Sequence, residues 1–386
     1  MAEPARPEIA FVLTALRHDA EGADARDAAS RAVIDWPAVA SLAIRQDVSW
    51  WVLRALPEHS AAGAVRDQLA AIVRAVALVA LNAARQLAEL HRVLASAGVR
   101  AVAYKGPALS VDVHGDLAAR RFTDLDLLIA ESDRARASVA LRAEGYAPPC
   151  GYTLREERFY SRWEGVAHFA RADELPLELH WRCQAPRYGG PQDPAAVIAR
   201  AVPLVLGGSP VLVPAAEDLG VLLALHGVKH AWGSLMWLAD FAAAVTRPAF
   251  DWTLATERAF AWGVLGAWHY ALRVARALIA LPVPEALLAA AQRDARLTPL
   301  VDAACARLCG ASELPEVGAE ATPRYDLQWL DGSIARYRYL ALGAILPTPR
   351  EREMARLPDA LLPLAYPLRV VRLVAHAFGH VMERRR

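Results

Sequence analysis

The sequence predicts an α+β fold in which a small mixed-sheet core lies between an N-terminal helical region and a C-terminal helical domain. Apolar residues recur every three to four positions before residue 97 and again after residue 214, which is the period of an amphipathic helix. Between these regions, short β-branched runs have the period of strands. A chain of 386 residues that is 55% hydrophobic can form two or three folded domains.

We therefore divide the chain into residues 1–97, 98–213 and 214–386. Helical periodicity starts near Ala32, and Gly98 follows the last periodic turn, at the position where a helix C-cap is commonest. Helical periodicity returns in the third region between prolines. In the middle region we expect strands at 99–104, 125–130, 167–171 and 175–181, and helices at 108–113 and 132–143, the latter opening on a Ser132 cap.

Composition and charge exclude several classes of protein. The formal net charge is +1, so no overall field attracts nucleic acid, and we expect no dedicated binding of duplex nucleic acid. The first residues lack a signal-peptide pattern, and the longest uncharged stretch, 201–216, contains prolines and is too short to span a membrane. A cytoplasmic protein without a transmembrane segment is expected. The four cysteines indicate neither a disulfide framework nor a zinc finger.

Lysine is scarce in this sequence. Lys105 and Lys229 are the two lysines among 43 basic side chains. An ammonium is a compact charge whereas a guanidinium is a planar fork, so a site that needs a small cation near phosphate resists replacement by arginine. The two lysines are therefore candidate phosphate ligands, although chance retention accounts for them equally well.

A pair of carboxylates provides the strongest chemical signal. Asp124 and Asp126 alternate along a predicted strand, so both project from one face about 7 Å apart. Carboxylates held this close repel each other unless a cation neutralises them, as in the Mg²⁺ sites that bind nucleotide phosphates. Such a pair also occurs by chance on surface strands.

The neighbouring sequence strengthens the metal hypothesis. Lys105 and Gly106 lie at a predicted strand-to-helix junction, where glycine lets a phosphate approach the backbone. Further on, Glu178 and His180 share one face of another predicted strand, which adds a third carboxylate. A phosphate turn followed by a carboxylate pair and a third carboxylate is the order expected of a metal-dependent nucleotidyl-transfer site.

At this point the sequence resembles a known family, the bacterial uncharacterised nucleotidyltransferases of the polymerase-beta-like nucleotidyltransferase superfamily. The resemblance rests on AYKGPAL, RRFTDLDLLI, LELHW, ALHGVKHAWGSLMWLADFA, LPTPRERE and YPLRVVR, and it extends over residues 36–372. It implies a nucleotidyltransferase core in which Asp124 and Asp126 hold Mg²⁺ and Glu178 is the third carboxylate. The superfamily usually has Gly-Ser or Gly-Gly at the phosphate turn, so here Lys105 is expected to replace the missing hydroxyl.

Other candidate nucleotide-binding residues each have a structural alternative. Arg120 matches the family's arginine before the carboxylates and could clamp phosphate oxygens, or it is a solvated loop charge. His180 could orient Glu178 or contact substrate, or it is a packed core residue.

A second group of candidates lies on a helix of the third region. His226, Lys229 and His230 could approach the nucleotide or the acceptor from this helix, with Asp240 as an ion-pair partner for one of them. The alternative is interdomain packing. A zinc site is not supported, because the Glu of HExxH and a third ligand are missing.

The expected reaction is attack of an acceptor hydroxyl on the α-phosphorus of a nucleoside triphosphate such as ATP, with pyrophosphate leaving. Glu178 would complete a second metal site or act as the general base. The acceptor is a peptide, a protein or a small molecule. A glycosyltransferase-like enzyme that uses a sugar nucleotide is one alternative, and a non-catalytic nucleotide-binding module is another.

Overall fold

A computed structural model describes residues 6–17, 33–57, 62–149, 152–190, 193–309, 323–355 and 357–383 of the chain. It has the expected α+β fold, with a small mixed sheet in the middle of the sequence and helices before and after it. None of the helices within these ranges is both long and apolar enough to cross a membrane. Cys183, Cys305 and Cys309 are free thiols, and Cys150 lies outside these ranges.

The N-terminal region is helical, as expected. Its last helix is 34 residues long and ends where Gly98 adopts a φ of 71°, the left-handed conformation that a glycine allows at low cost. Ala32 lies outside the described residues. The helices are α1 (Pro7–Ala15), α2 (Trp36–Arg45), α3 (Ser49–Ala55) and α4 (Gly63–Ser96).

The central sheet has four strands in the order β1-β2-β4-β3. Strand β1 is antiparallel to β2, β2 is parallel to β4, and β4 is antiparallel to β3. All four strands were predicted, but each is shorter than its apolar run. They are β1 (Val102–Ala103), β2 (Leu125–Leu128), β3 (Val166–Phe169) and β4 (Leu177–His180).

Helix α5 (Gly106–His114) connects β1 to β2 and begins immediately after Lys105. Helix α6 (Arg134–Ala143) follows β2, but the Ser132 cap is wrong, because Ser132 lies in a short 3₁₀ helix (Glu131–Asp133) that precedes α6. Helix α7 (Leu154–Glu164) was not predicted, although its Thr153 and Glu156 form a capping box.

A β-hairpin was also missed, in the uncharged stretch 201–216. Strands β5 (Val202–Leu206) and β6 (Ser209–Val213) are antiparallel and form a second small sheet. Gly207 and Gly208 both have positive φ in the two-residue turn, which is the glycine pattern of a tight hairpin. Helix α8 (Ala195–Arg200) precedes this hairpin.

The third region is helical from residue 216 onward, apart from its connecting segments. A short 3₁₀ helix (Asp359–Leu364) leads into its last helix. The helices are α9 (Ala216–Lys229), α10 (Leu235–Val245), α11 (Trp252–Ala261), α12 (Leu265–Ile279), α13 (Glu285–Gln292), α14 (Thr298–Leu308), α15 (Pro323–Trp329), α16 (Gly332–Ile345), α17 (Pro349–Met354) and α18 (Ala365–Glu383).

Two hydrophobic clusters show how these parts pack. The larger contains side chains from α1 to α3, the start of α4 and the C-terminal helices, so the first and third regions share a core. The second contains the far end of α4, represented by Leu87 and Leu90, packed on the sheet residues Leu125 and Leu179. Helix α4 therefore belongs to both clusters. The boundaries of the three domains stay predictions.

Helix α9 ends in a tight turn. Trp232 donates its backbone N–H to the Gly227 carbonyl at 2.7 Å, and Ala231 donates to Val228 at 2.9 Å, which is the Schellman pattern. The turn brings the buried Trp232 indole back over the helix, where a Cβ on Gly227 would lie 2.5 Å from a ring carbon. Gly227 is therefore required for this packing.

We expect Gly227→Ala to lower the free energy of unfolding by about 1–3 kcal/mol, the usual cost of overpacking a core. Urea unfolding followed by circular dichroism measures the change. Gly63→Ala is the control, because a Cβ on Gly63 would have no neighbour within 4 Å. Equal stability of the two variants would contradict the role of Trp232.

Candidate active site

Three strands bring polar side chains into one row on the sheet. Asp126 on β2 pairs in register with Glu178 on β4, and Glu178 pairs with His168 on β3. Asp124 directly precedes β2, two residues before Asp126, and so belongs to the same face. The row exists because β2 and β4 are parallel neighbours, which joins two segments that are about fifty residues apart in sequence.

Hydrogen bonds connect the members of this row. The buried Asp126 Oδ1 accepts from Lys105 Nζ at 3.0 Å and lies 3.1 Å from His180 Nε2. The same His180 nitrogen lies 3.2 Å from Glu178 Oε2. On the far side, His168 Nε2 lies 3.3 Å from Glu178 Oε1. Asp126 and Glu178 are therefore each held between cationic or N–H groups.

These contacts set the charges of the carboxyl groups. Burial favours the neutral form of Asp126, but the Lys105 ammonium and the His180 hydrogen bond outweigh it and hold the pKa at about 2. Burial also opposes ionisation of Glu178, yet hydrogen bonds from His168 and His180 lower its pKa. In contrast, burial and the nearby charge of Asp126 raise the pKa of Asp124.

The pKa values of the basic partners are raised. Burial disfavours the charged forms of Lys105 and His180, but their carboxylate neighbours raise the pKa of both. The hydrogen bond to Glu178 raises the pKa of His168. The Tyr104 ring supports the site, because its centroid lies 5.0 Å from Lys105 Nζ and 5.5 Å from the His180 ring.

The turn between β1 and α5 carries Lys105 into the site. Gly106 begins the helix with a φ of 64°, which an L-residue with a side chain rarely adopts. A Cβ there would meet Leu125 Cδ2 and the Asp124 carbonyl at ordinary contact distances, 3.5 and 3.7 Å. The glycine is thus needed for backbone conformation and not for space.

Gly106→Ala is expected to cost about 1–2 kcal/mol of stability through the left-handed conformation. It should also weaken nucleotide binding, because the turn that orients Lys105 relaxes. Urea unfolding and titration with a nonhydrolysable nucleotide analogue measure the two effects. The outcome against this account is an unchanged affinity together with unchanged stability.

Arg120 is buried and not the solvated loop charge of the alternative hypothesis. Its Nε donates to Asp240 Oδ2 at 3.1 Å, and Nη1 donates to the Gly106 carbonyl at 3.4 Å. The other Asp240 oxygen lies 2.9 Å from His114 Nε2. The suggestion that Asp240 pairs with the α9 histidines or Lys229 is therefore wrong. Asp240 instead links α10, through Arg120, to the turn at Gly106.

The predicted residues at the C-terminal end of α9 form a separate group, in which His226 and Lys229 belong to the helix and His230 is its C-cap. The rings of His226 and His230 lie 4.8 Å apart, and each lies 5.2 Å from Trp237. Burial and the positive charge of Lys105 lower the pKa of His226. Burial and the positive charge of Lys229 lower the pKa of His230 to about 3. Both imidazoles are therefore neutral at pH 7.

The pKa of Lys229 is lowered by similar effects. Burial and the charge of Lys105 lower its pKa, while Glu178 and Glu164 oppose this effect. The residues of α9 therefore share an electrostatic environment with the carboxylate row. Their role in binding nucleotide stays a prediction.

Comparison with known proteins identifies the family. Residues 32–280, well over half of the chain, match the family model described as uncharacterised nucleotidyltransferase. The chain belongs to this family. The protein is therefore a nucleotidyltransferase, a transferase of phosphorus-containing groups, and not a non-catalytic nucleotide-binding module. Curated proteins and solved structures give no match.

The carboxylate row of the nucleotidyltransferase fits a divalent cation. Ligand atoms of Asp126, Glu178 and His180 all lie within 4.8 Å of one another. Two adjacent ionised carboxylates offer the hard oxygen ligands that Mg²⁺ prefers. Asp124 does not belong to this group. Burial and the negative charge of Asp126 raise its pKa, and a bound cation would offset the effect of that charge.

Two residues of the site were not singled out from the sequence. His168 lies in the short segment VAHF, which has no motif, and it joins the site through the register of β3 with β4. Glu164 is the last residue of α7, and its pKa is raised by burial against the opposing charges of His168 and Lys229. The strand predicted at 167–171 includes His168, but its pairing with β4 does not follow from the sequence pattern.

Proposed function

We propose that this nucleotidyltransferase moves a nucleoside monophosphate from a nucleoside triphosphate to a hydroxyl acceptor, with Mg²⁺ held by Asp124, Asp126 and Glu178. The observation that carries the proposal is the parallel pairing of β2 with β4, which places Asp126 beside Glu178 with His180 between their oxygens. Two like charges side by side, one buried and the other partly buried, are costly to a protein that does not use them.

In the proposed reaction, the acceptor oxygen forms a bond to the α-phosphorus as the bond to the pyrophosphate oxygen breaks. A bound Mg²⁺ would supply positive charge to the phosphate oxygens. The Lys105 ammonium supports this charge from the β1 side, and the Gly106 turn lets the phosphates approach the backbone. The hydroxyl proton passes to solvent and pyrophosphate leaves.

Glu178 has two expected roles, as a metal ligand or as the general base. Its pKa is lowered by His168 and His180, and a carboxylate with a low pKa is a weak base near pH 7. This favours the metal-binding role. His180, which lies between the two carboxylates, orients them.

The family assignment favours a nucleoside triphosphate over a sugar nucleotide as the donor. The acceptor in this proposal is a hydroxyl of a peptide, a protein or a small molecule. Membership of the polymerase-beta-like superfamily, bacterial origin and the cytoplasmic location stay predictions.

The test uses each of the four nucleoside triphosphates labelled on either the α- or the γ-phosphate, with Mg²⁺ and candidate acceptors. Nucleotidyl transfer puts the α-label on the acceptor and the γ-label in pyrophosphate. Transfer of the γ-label to the acceptor would indicate a kinase and would contradict the proposal. Mass spectrometry of the acceptor gives the added group independently.

The scarce lysine of the phosphate turn can be tested by a change that keeps its charge. Lys105→Arg is expected to weaken binding of a Mg²⁺–nucleotide analogue about tenfold, which corresponds to roughly 1.4 kcal/mol, because the planar fork does not fit between Asp126 and the Tyr104 ring. Calorimetric titration measures the affinity. An arginine variant that binds as tightly as the wild type would show that the site needs charge alone.

A further inference from the structure

An arginine-lined cavity of about 290 Å³ lies beside α7, outside the carboxylate row. Three arginines from separate segments line it: Arg187 follows β4, Arg350 is the second residue of α17, and Arg369 lies on α18. Among the described residues of its lining, Glu164 is the one acid. The lining therefore carries an excess of positive charge, and it suits an anionic ligand.

Two of these guanidinium groups are held in place by the protein. Arg369 donates from Nε and Nη2 to the Gly343 carbonyl at 3.2 and 2.8 Å, and its Nη1 lies 3.5 Å from Glu351. Arg187 lies over the Tyr188 ring at 4.7 Å. Arginine side chains that are already oriented lose less entropy when they bind a ligand.

Glu164 relates the cavity to the active site. This residue also lines a smaller cavity of about 230 Å³ together with His168, and His168 contacts Glu178. Burial raises the pKa of the Glu164 carboxyl group, and the positive charges of His168, Lys229 and Arg187 oppose this effect. A ligand in the arginine cavity therefore approaches the carboxylate row from the β3 edge of the sheet.

The opposite edge of the sheet is where the phosphate turn lies. Lys105 and Gly106 follow β1, which is the other edge strand. In-line displacement requires the attacking and leaving oxygens to lie on opposite sides of the phosphorus. If pyrophosphate leaves on the β1 side, then the acceptor approaches from the β3 side, where Glu164 lines both the arginine cavity and the smaller cavity that contains His168.

We propose that the cavity lined by Arg187, Arg350 and Arg369 binds an anionic group of the acceptor, a phosphate or a carboxylate, while the acceptor hydroxyl lies beside Glu178. This inference rests on the proposed function and specifies its acceptor class. Arg350 and Arg369 lie beyond residues 32–280, so the matched family model does not include them. The C-terminal helices thereby select the substrate.

The test measures binding of three small hydroxyl compounds to the full-length chain by calorimetry: glycerol 3-phosphate, glycerate and uncharged glycerol. Arg350→Gln and Arg187→Gln are compared with Arg158→Gln, which changes an exposed arginine on α7 that does not line the cavity. Circular dichroism shows whether each variant is folded. Arg350 is exposed, so its replacement leaves the core unchanged.

We expect one or both anions, but not glycerol, to bind the wild type and the Arg158→Gln variant. Arg350→Gln and Arg187→Gln should each weaken this binding about tenfold, the usual effect of losing a charged hydrogen bond.

Equal binding to all variants, or no binding of either anion to the wild type, would overturn the proposal. Displacement of the anion by a Mg²⁺–nucleotide analogue would assign the cavity to the donor phosphates and would also overturn it. Failure of the proposed function is distinguishable, because the labelled-nucleotide assay reports which group is transferred, whether or not the anions bind in this cavity.

Discussion

Asp126→Asn is expected to reduce kcat/KM for nucleotidyl transfer about a thousandfold, the upper range for loss of one electrostatic stabiliser in an active site. The variant keeps an oxygen that can accept from Lys105 and His180, so the buried hydrogen bonds can persist. It removes the negative charge that would bind the cation. Steady-state assays across Mg²⁺ concentrations give the change.

A matched control comes from an exposed aspartate. Asp173 has a φ of 60°, which asparagine also adopts readily, so Asp173→Asn changes the charge without straining the chain. It should retain full activity. An Asp126→Asn variant that is as active as this control would remove the carboxylate row from the mechanism. Asp124→Asn is expected to lose activity as well.

Asp240→Ala is expected to lower the free energy of unfolding by about 3–5 kcal/mol, because it leaves the buried Arg120 without its carboxylate partner. It also removes the acceptor for His114. Urea unfolding monitored by circular dichroism measures the loss. Asp302→Ala, an exposed change on α14, is the control and should shift stability by less than about 0.5 kcal/mol.

A double variant separates the ion pair from other effects of the substitution. Arg120→Leu combined with Asp240→Leu removes both charges and should be more stable than Asp240→Ala alone, because no buried charge is left unpaired. If Asp240→Ala and Asp302→Ala are equally stable, the ion pair does not hold the Gly106 turn to α10.

Local patterns in the sequence predicted most of the secondary structure. The period of apolar residues predicted α4 and the strands, and Gly98 marks a helix end because it adopts a positive φ. The hairpin at 202–213 was missed because its residues were considered only as a candidate membrane segment. Its Gly207-Gly208 turn was a readable signal.

Relationships between distant segments could not be predicted in the same way. The parallel register of β2 with β4 decides that Asp126 lies beside Glu178, and strand order does not follow from the pattern within one strand. The Arg120–Asp240 pair joins residues 120 positions apart. Alternation along a strand, in contrast, correctly placed Glu178 and His180 on one face.

The most direct test is to locate the cation by anomalous diffraction from crystals grown with Mn²⁺, in place of Mg²⁺, and a nonhydrolysable nucleoside triphosphate. The account predicts a peak between the carboxylates of Asp126 and Glu178, with the triphosphate reaching Lys105 and the Gly106 turn. A peak elsewhere, or nucleotide bound with Lys105 directed to solvent, would contradict it.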